Sequence, residues 1–384
     1  MTVLEAPTVV QGPRSLSPGW VAFESGTIIG AGRGRAPSDL GPPTTLGSGT
    51  LAAGLVDMQI NGAYGVDFAA ATEQQWAEVA MRLAQTGCTA FVPTFITASI
   101  DNLVTAITRY RQLPLPTGGA QPIGIHLEGP FLSERRRGAH RAELLVDPTP
   151  DRLSRLVQAA GPDLRYVTLA PERSGALPAV RALRAAGVDV AIGHSDADHE
   201  TVFAAVDAGA SLVTHLFNAQ RPLGHRDPGV VGAALVDERL TLGLIADLHH
   251  VDATAVKVAF NAAAGRIALV TDAVAAMGMP PGQYELGGDT IDIAGSGPAL
   301  RPDGTIAGSA VRIDEVVGNA VSCGVDRHVA LDAATRVPAE AMRRRDLGRI
   351  EVGARADLVW LDDSLRAAST WVAGECVFTA GARR

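Results

Sequence analysis

Lysine is almost missing from this sequence: Lys257 is the single one among 33 Lys and Arg residues, and every other basic side chain is arginine. Cysteine is scarce as well. Cys88, Cys323 and Cys376 are odd in number and far apart, and no Cys-x-x-Cys occurs. That spacing argues against a disulfide framework and against a thiolate zinc site, and it fits a reducing compartment. Positive charge is in deficit. Forty-one acidic against 33 basic residues give a formal net charge of −8 and a pI of about 5.6. Such a chain repels nucleic acid and anionic membranes. The densest basic run, Arg135-Arg136-Arg137, reads as a solvated loop. No apolar run approaches the length that crosses a bilayer. The stretch Met1–Pro13 shows no basic start followed by an apolar segment, so it does not read as a signal peptide. These absences together predict a cytoplasmic protein without nucleic-acid or membrane partners.

What is abundant is apolar residues, 47% of the chain, enough for one large core and a smaller one. At the start, Val9–Val10, Trp20–Phe23 and Thr27–Ile29 are β-prone pieces split by Gly, Pro and Ser. At the end, Ile350–Val352, Asp357–Leu361 and Trp371–Val377 read the same way. Neither end carries enough apolar residues to stand alone. Residues 1–53 and 340–384 are therefore expected to meet in one small β-sandwich domain.

Residues 54–339 alternate short apolar runs with helical patterns. The eight candidate strands are Gly54–Ile60, Ala90–Phe95, Ile123–Leu127, Tyr166–Leu169, Val188–Ile192, Leu212–Thr214, Leu242–Ala246 and Ile267–Thr271. Helical patterns at Glu73–Gln85, Leu177–Ala186, Asp196–Asp207 and Val251–Ala264 each run toward a glycine. Ser195 or Asp196 is placed to cap the third of these. Strand–helix units in this number predict a closed (β/α)8 barrel. An open doubly wound sheet is the alternative, weakened because no GxGxxG follows any strand.

Several strands stop at a chemically capable group. The third runs into Glu128, the fifth through Gly193 into His194, the sixth into His215 and the eighth into Asp272; the first carries Gln59 and Asn61. In a barrel these termini converge on one face. Glu128, His194 and His215 form a three-ligand set that leaves a catalytic zinc one open position. Asp272 fits a general base toward the bound water. Taken singly, each has a bland alternative: a structural histidine, or a carboxylate capping a helix. His199, His225 and His328 read as surface or packing residues, and His126 as buried and satisfied.

At these residues the chain resembles the N-acetylglucosamine-6-phosphate deacetylase family of the amidohydrolase superfamily. The matching stretches are His126-Leu-Glu-Gly-Pro-Phe131, Gly193-His-Ser-Asp196, Thr214-His-Leu-Phe-Asn-Ala219 and Leu269-Val-Thr-Asp-Ala273. Gly348-Arg-Ile-Glu-Val-Gly-Ala-Arg-Ala-Asp-Leu-Val359 is similar to a signature of the wider superfamily. The resemblance implies a barrel flanked by a small β-sandwich, with Glu128, His194 and His215 as metal ligands and Asp272 as catalytic acid/base. It implies substrate contacts at Ala139, His140, Asn218, Ala219, Arg226, His250, Ile306, Ala307 and Gly308. His140 would polarise the scissile carbonyl. Arg226 would hold the phosphate across the interface of a homodimer; on spacing alone it reads as an ion pair with Asp227. His250 is preferred to His249 because the family's histidine directly precedes the residue matching Val251. Where the family usually continues with Met after Asn218-Ala219, this chain has Gln220.

Two departures from the superfamily point to one divalent metal per subunit. Many members carry His-x-His at the end of the first strand; Gln59-Ile60-Asn61 stands there, and amides bind such ions less well than imidazole. Binuclear members with a carbamylated lysine at the fourth strand are excluded, because Lys257 lies well past it. Zinc suits the ligands, with ferrous iron, manganese and cobalt as alternatives. The implied activity is hydrolysis of N-acetylglucosamine 6-phosphate to glucosamine 6-phosphate and acetate, in amino-sugar catabolism and cell-wall sugar recycling. Three other readings stay open: a deacetylase of the galactosamine epimer, a hydrolase of N-acyl amino acids, and a silent sugar-phosphate-binding protein.

Overall fold

A computed structural model describes residues 1–12, 14–294 and 297–381. Eight parallel strands form the centre: β1 (Leu55–Ile60), β2 (Cys88–Ile96), β3 (Ile125–Glu128), β4 (Leu164–Leu169), β5 (Asp189–Ile192), β6 (Leu212–Val213), β7 (Thr241–Ile245) and β8 (Ile267–Val270). Each pairs with the next. The ring closes just beyond β8, where Asp272 N–H donates to the Gln59 carbonyl at 2.9 Å and Asn61 N–H to the Ala273 carbonyl at 2.7 Å. The expected barrel is thus closed, and the open sheet is excluded.

A helix follows each strand: α1 (Glu73–Ala84), α2 (Ile100–Gln112), α3 (Pro150–Ala160), α4 (Ala176–Ala185), α5 (His199–Ala208), α6 (Gly229–Val236), α7 (Ala253–Ala262) and α8 (Ile313–Ser322). In α1, Trp76, Val79, Ala80 and Leu83 recur at helical spacing and give one buried stripe. Thr72 and Gln75 close a capping box at its start, worth about 1 kcal/mol. The cap foreseen at Ser195 or Asp196 is a correction: α5 starts later, and Asp198 caps it through Thr201 N–H at 2.9 Å. Ser195 Oγ–H and Asp196 N–H instead donate to the two oxygens of Glu172, at 2.7 and 2.6 Å.

Inside the barrel the side chains stack in layers. Val56, Met58, Ala90, Val92, Tyr166, Leu212 and Val270 belong to the apolar layer, joined from below by Val337, Ala339, Met342 and Leu347. Above it lies a buried polar rung. His126 spans Thr94 Oγ1 at 3.0 Å and Thr168 Oγ1 at 2.7 Å, and Thr168 continues to Thr214 Oγ1 at 2.6 Å. Burial pushes His126 down to about 3, so it is neutral and satisfied. Gly193 is required beside this rung, because a Cβ there would lie 2.7 Å from Thr214 Cβ and 2.8 Å from Thr168 Cγ2.

Both chain ends run into two further sheets. A six-stranded one, in the order Glu375–Thr379, Ala367–Val372, Leu358–Leu361, Thr50–Ala53, Val9–Gln11, Arg14–Leu16, joins three late strands to three early ones where Leu358–Leu361 pairs with Thr50–Ala53. A four-stranded one uses Thr27–Arg33, Gly19–Glu24, Thr2–Ala6 and Thr44–Thr45. Leu4, Val21, Phe23, Leu51, Leu358 and Trp371 share the core of these sheets. Two expected strands are corrected. Ile350–Val352 is irregular; Ile350 is buried and its carbonyl accepts from Gln11 Nε2 at 2.7 Å. Trp371–Val377 is broken by a turn at Ala373-Gly374, where φ is 46° and 79°. Among the described residues no helix is long and apolar enough to cross a membrane.

Candidate active site

The barrel delivers its polar strand ends to one mouth, and it bends the backbone to aim them. His194, His215 and Asp272 have φ of 46°, 27° and 47°, in the left-handed region that costs a non-glycine residue of order 1–3 kcal/mol.

Glu128 Oε1 lies 2.8 Å from His215 Nε2 and 3.2 Å from His194 Nε2, and the two Nε2 atoms are 3.1 Å apart. His194 Nδ1 faces the Arg136 carbonyl at 2.9 Å. A carbonyl only accepts, so Nδ1 carries a proton, which leaves Nε2 as the atom that can turn a lone pair to an ion. A carboxylate oxygen and two imidazole nitrogens thus share one focus, with all three ligand atoms within 4.8 Å of one another and all three residues buried. Burial opposes the charge of Glu128, but the two imidazoles overcome it and hold its carboxyl well below the ordinary range.

Asp272 stands beside this cluster. Its Oδ1 accepts from Asn61 Nδ2 at 2.7 Å and from Gln59 Nε2 at 3.2 Å, and Gln59 Nε2 also reaches Glu128 Oε1 at 3.3 Å. Burial, then the charge of Glu128, pushes Asp272 up to about 6. Where His-x-His would offer lone pairs to a second cation, these two amides point N–H groups at the carboxylates. An N–H donor does not ligate a cation.

A cavity of about 400 Å³ opens over the cluster. Ala139, His140, Asn218, Ala219, His250, Ile306, Ala307 and Gly308 all line it, together with Glu128, His194, His215, Asp272 and Asn61. His140 is buried, with Nδ1 2.9 Å from Thr97 Oγ1 and its ring centroid 4.4 Å from that of His194. Burial, reinforced by His194, pushes it down to about 3 and keeps it neutral. His250 Nδ1 pairs with Asp247 Oδ2 at 2.7 Å, while Asp247 Oδ1 accepts the backbone N–H groups of His249 and His250. His249 does not line the cavity.

Arg226 is not brought into this cavity by its own chain. It is exposed, and Asp227 pairs instead with Arg221 at 2.5 Å, so the Arg226–Asp227 ion pair suggested by spacing does not form. Gln220 lies beneath the loop. Its Nε2 donates to the Thr214 carbonyl at 2.8 Å and its Oε1 accepts Phe217 N–H at 3.1 Å, bracing the turn that presents Asn218 and Ala219.

Several functional residues escape the sequence reading. Arg135-Arg136-Arg137 is more than a solvated loop: Arg135 and Arg136 line the cavity, Arg136 pairs with Asp196 at 2.8 Å, and its carbonyl orients His194. No side-chain pattern could reveal that last contact, because a backbone atom makes it. Asp247 did carry a signal, standing directly after the apolar run of β7. Ile96 and Leu286 add an apolar wall. Leu286 belongs to a hairpin, Gly282–Leu286 with Asp289–Ile293, that roofs the mouth.

A buried carboxylate and two histidines at the C-terminal mouth of a parallel barrel, with a second carboxylate beside them, define a metal-dependent hydrolase. The amidohydrolase family profile matches residues 50–379. The chain is 37% identical over 391 residues to a human N-acetylglucosamine-6-phosphate deacetylase, covering 98% of this chain and 92% of that protein. It is 38% identical over 323 residues to an N-acetylgalactosamine-6-phosphate deacetylase of Escherichia coli O157:H7, covering 83% and 85% of the two. A solved structure of a Mycobacterium smegmatis N-acetyl-D-glucosamine-6-phosphate deacetylase variant, in complex with N-acetyl-D-glucosamine-6-phosphate, superposes with a TM-score of 0.93 at 37% identity, covering 98% of this chain and 99% of that one. The chain belongs to the amidohydrolase family and, within it, to the N-acetylglucosamine-6-phosphate deacetylases.

Proposed function

We propose that this chain hydrolyses the acetamide of N-acetylglucosamine 6-phosphate to acetate and glucosamine 6-phosphate, using one divalent ion per subunit. The observation that carries the reading is the convergence of Glu128, His194 and His215 beside Asp272 in one cavity. The donor set fits the ion: one ionised carboxylate, one imidazole whose Nδ1 is held by a carbonyl so that Nε2 is its ligand atom, and a second imidazole whose Nε2 lies 3.1 Å away. Bound there, the ion supplies Lewis acidity toward water and the amide carbonyl. Zinc suits these ligands; iron, manganese and cobalt also fit.

Asp272 lines the cavity and takes the proton of the attacking water, with Oδ1 pinned by Asn61 and Gln59. His140 faces the amide oxygen and steadies the charge that develops on it. Asp272 then delivers its proton to the departing amine nitrogen. Asn218, Ala219 and His250 hold the sugar-phosphate end, and Asp247 fixes the ring of His250. Arg226 is exposed and does not line its own cavity, and it acts on the phosphate in the partner subunit of a homodimer. The protein works in the cytoplasm, on a substrate of amino-sugar catabolism.

Acetate release from N-acetylglucosamine 6-phosphate, its galactosamine epimer and unphosphorylated N-acetylglucosamine tests the assignment. The 6-phosphate of the glucosamine series should lead. Equal turnover of the unphosphorylated sugar refutes the phosphate reading, and faster turnover of the epimer reassigns the substrate. A mixed dimer tests the shared site. A dimer of one Asp272→Ala chain and one Arg226→Ala chain should recover about half of the wild-type activity, and a random mixture of the two about a quarter, since one site then collects both defects and the other none in a two-fold assembly. Hybrids no better than the average of their parents refute the exchange.

A further inference from the structure

A second cavity, of about 290 Å³, lies behind the catalytic one, and the two share only Asn61, Ile96 and Leu286. Beyond that partition Phe95, Leu103 and Ala106 give it an apolar wall, Asp67, Thr94 and Asn102 add polar groups, and the hairpin turn Gly287-Gly288 lies at its edge. The partition is packed rather than loose. Leu286 is 8% exposed and shares a core with Val274, Ile291, Ile293 and Ala307, against which Ile96 packs. Gly287 N–H donates to Asp67 Oδ2 at 3.0 Å, and a Cβ on Gly287 would come within 2.7 Å of Ile96 Cδ1, so the hairpin tip rests on Ile96.

The ring order says which end of a substrate meets this wall. Asn218 and Ala219 follow β6, and His250 follows β7. Ile96 ends β2, four strands away from β6 on an eight-strand ring and therefore on the opposite side of the mouth. Ile96 is also in register with Glu128. A substrate whose phosphorylated end lies toward β6 and β7, with its carbonyl at Glu128, His194 and His215, directs the acyl carbon chain at Ile96 and Leu286.

We infer that Ile96 and Leu286 form the gauge that limits the acyl group to two carbons, and that the cavity behind them is a latent subsite for longer N-acyl chains. The inference rests on the amide-hydrolase reading above and adds its acyl specificity. A methylene needs about as much room as a water, roughly 30 Å³, so the rear cavity holds several once the wall is opened. With the wall in place, each added methylene must displace packed side chains, a discrimination of about 10- to 200-fold in a well-formed apolar pocket.

The test compares kcat/KM for glucosamine 6-phosphates bearing N-acetyl, N-propionyl and N-butyryl groups, followed by amine release. The wild-type protein should lose at least about tenfold per added methylene. In Leu286→Ala and in Ile96→Ala, the butyryl-to-acetyl ratio should rise at least about tenfold. Adding Ala106→Leu to Ile96→Ala refills the rear cavity and should restore the acetyl preference. Should Leu286→Ala disturb the hairpin core, Ile96→Ala and its refilled partner decide the question. A wild-type protein that accepts butyryl as readily as acetyl overturns the inference. So do folded variants that hydrolyse the acetyl substrate with an unchanged chain-length profile. If the wild-type protein hydrolyses none of the three, it is the deacetylase reading that fails.

Discussion

Replacing Asn61 with alanine should move the acid limb of activity without touching a ligand of the ion. Asn61 Nδ2 donates to Asp272 Oδ1 at 2.7 Å, the shorter of the two side-chain donors on that oxygen. Truncation strands little else, because Asn61 Oδ1 is already buried without a partner among the described residues. A hydrogen bond to a charged group contributes about 1.5–3 kcal/mol, and a pKa unit corresponds to about 1.4 kcal/mol, so losing it shifts Asp272 by about one to two units. The sign follows from which form the donor favours. The N–H stabilises the ionised carboxylate, so its loss raises the pKa. A general base works ionised, so activity should now fall away at a higher pH. Burial and Glu128 already push Asp272 up to about 6. A divalent ion at Glu128 lowers both limbs together, so the separation between variant and wild type is the quantity to read. The assay is kcat/KM for acetate release against pH, which reports the free enzyme. One unit below the wild-type limb the variant should be about 10- to 100-fold slower, and on the high-pH plateau the two should converge. Limbs that coincide within a few tenths of a unit, or a loss equal at every pH, refute Asp272 as the base held by Asn61.

Elemental analysis should return one divalent ion per chain, and chelation should abolish acetate release until one equivalent is restored; two ions per chain, both needed, would sink the single-site reading built on Gln59 and Asn61. Asp57, which accepts from Thr271 just before Asp272, offers a stability test. Burial pushes its carboxyl up to about 7 from 3.8, against the hydrogen bonds from Thr271 and Gln59. Because the folded state holds this proton more tightly than the unfolded chain, the stability it contributes is present below about pH 4 and is lost as pH rises toward 7. Asp57→Asn removes that loss, so its melting temperature should gain on wild type between pH 4.5 and 8, by up to about 4 kcal/mol in free energy; a pH-independent difference would falsify the account.

The barrel and its metal-type site were legible because apolar runs announce strands and each informative run stops on a chemically capable residue: Glu128, His194, His215, Asp272. What was not legible depends on contacts between distant segments. Ser195 looks like a helix cap by local rules, but Glu172, 23 residues earlier, takes its hydroxyl, and Asp198 inherits the cap. Ile350 looks like a strand residue, but its carbonyl is spent on a side chain from the other end of the sequence. The roof hairpin did carry a local signal, two β-prone runs split by Gly287-Gly288, a two-residue turn type that supports hairpins. Arg226 is legible by resemblance only, since among the described residues its side chain meets no ion-pair or hydrogen-bond partner.

The places where local rules fail are not scattered. Left-handed backbone at His194, His215 and Asp272, two carboxylates buried close together, and two amides where the superfamily often has imidazoles all fall at one mouth. Each carries a cost that only the surroundings can hold in place. The backbone bends are fixed because neighbouring strands pair on either side of them, as where Asp272 N–H meets the Gln59 carbonyl. The carboxylates are kept apart in role by their partners. Glu128 faces two imidazoles and stays ionised, whereas burial and the charge of Glu128 raise Asp272 to about 6 against the pull of the Asn61 amide. Two carboxylates whose neighbours drive their proton affinities in opposite directions are what a ligand and an acid/base require of one site. Gln59 Nε2 touches both, at 3.3 Å from Glu128 Oε1 and 3.2 Å from Asp272 Oδ1, and so stands between the carboxylate proposed to hold the ion and the one proposed to move a proton.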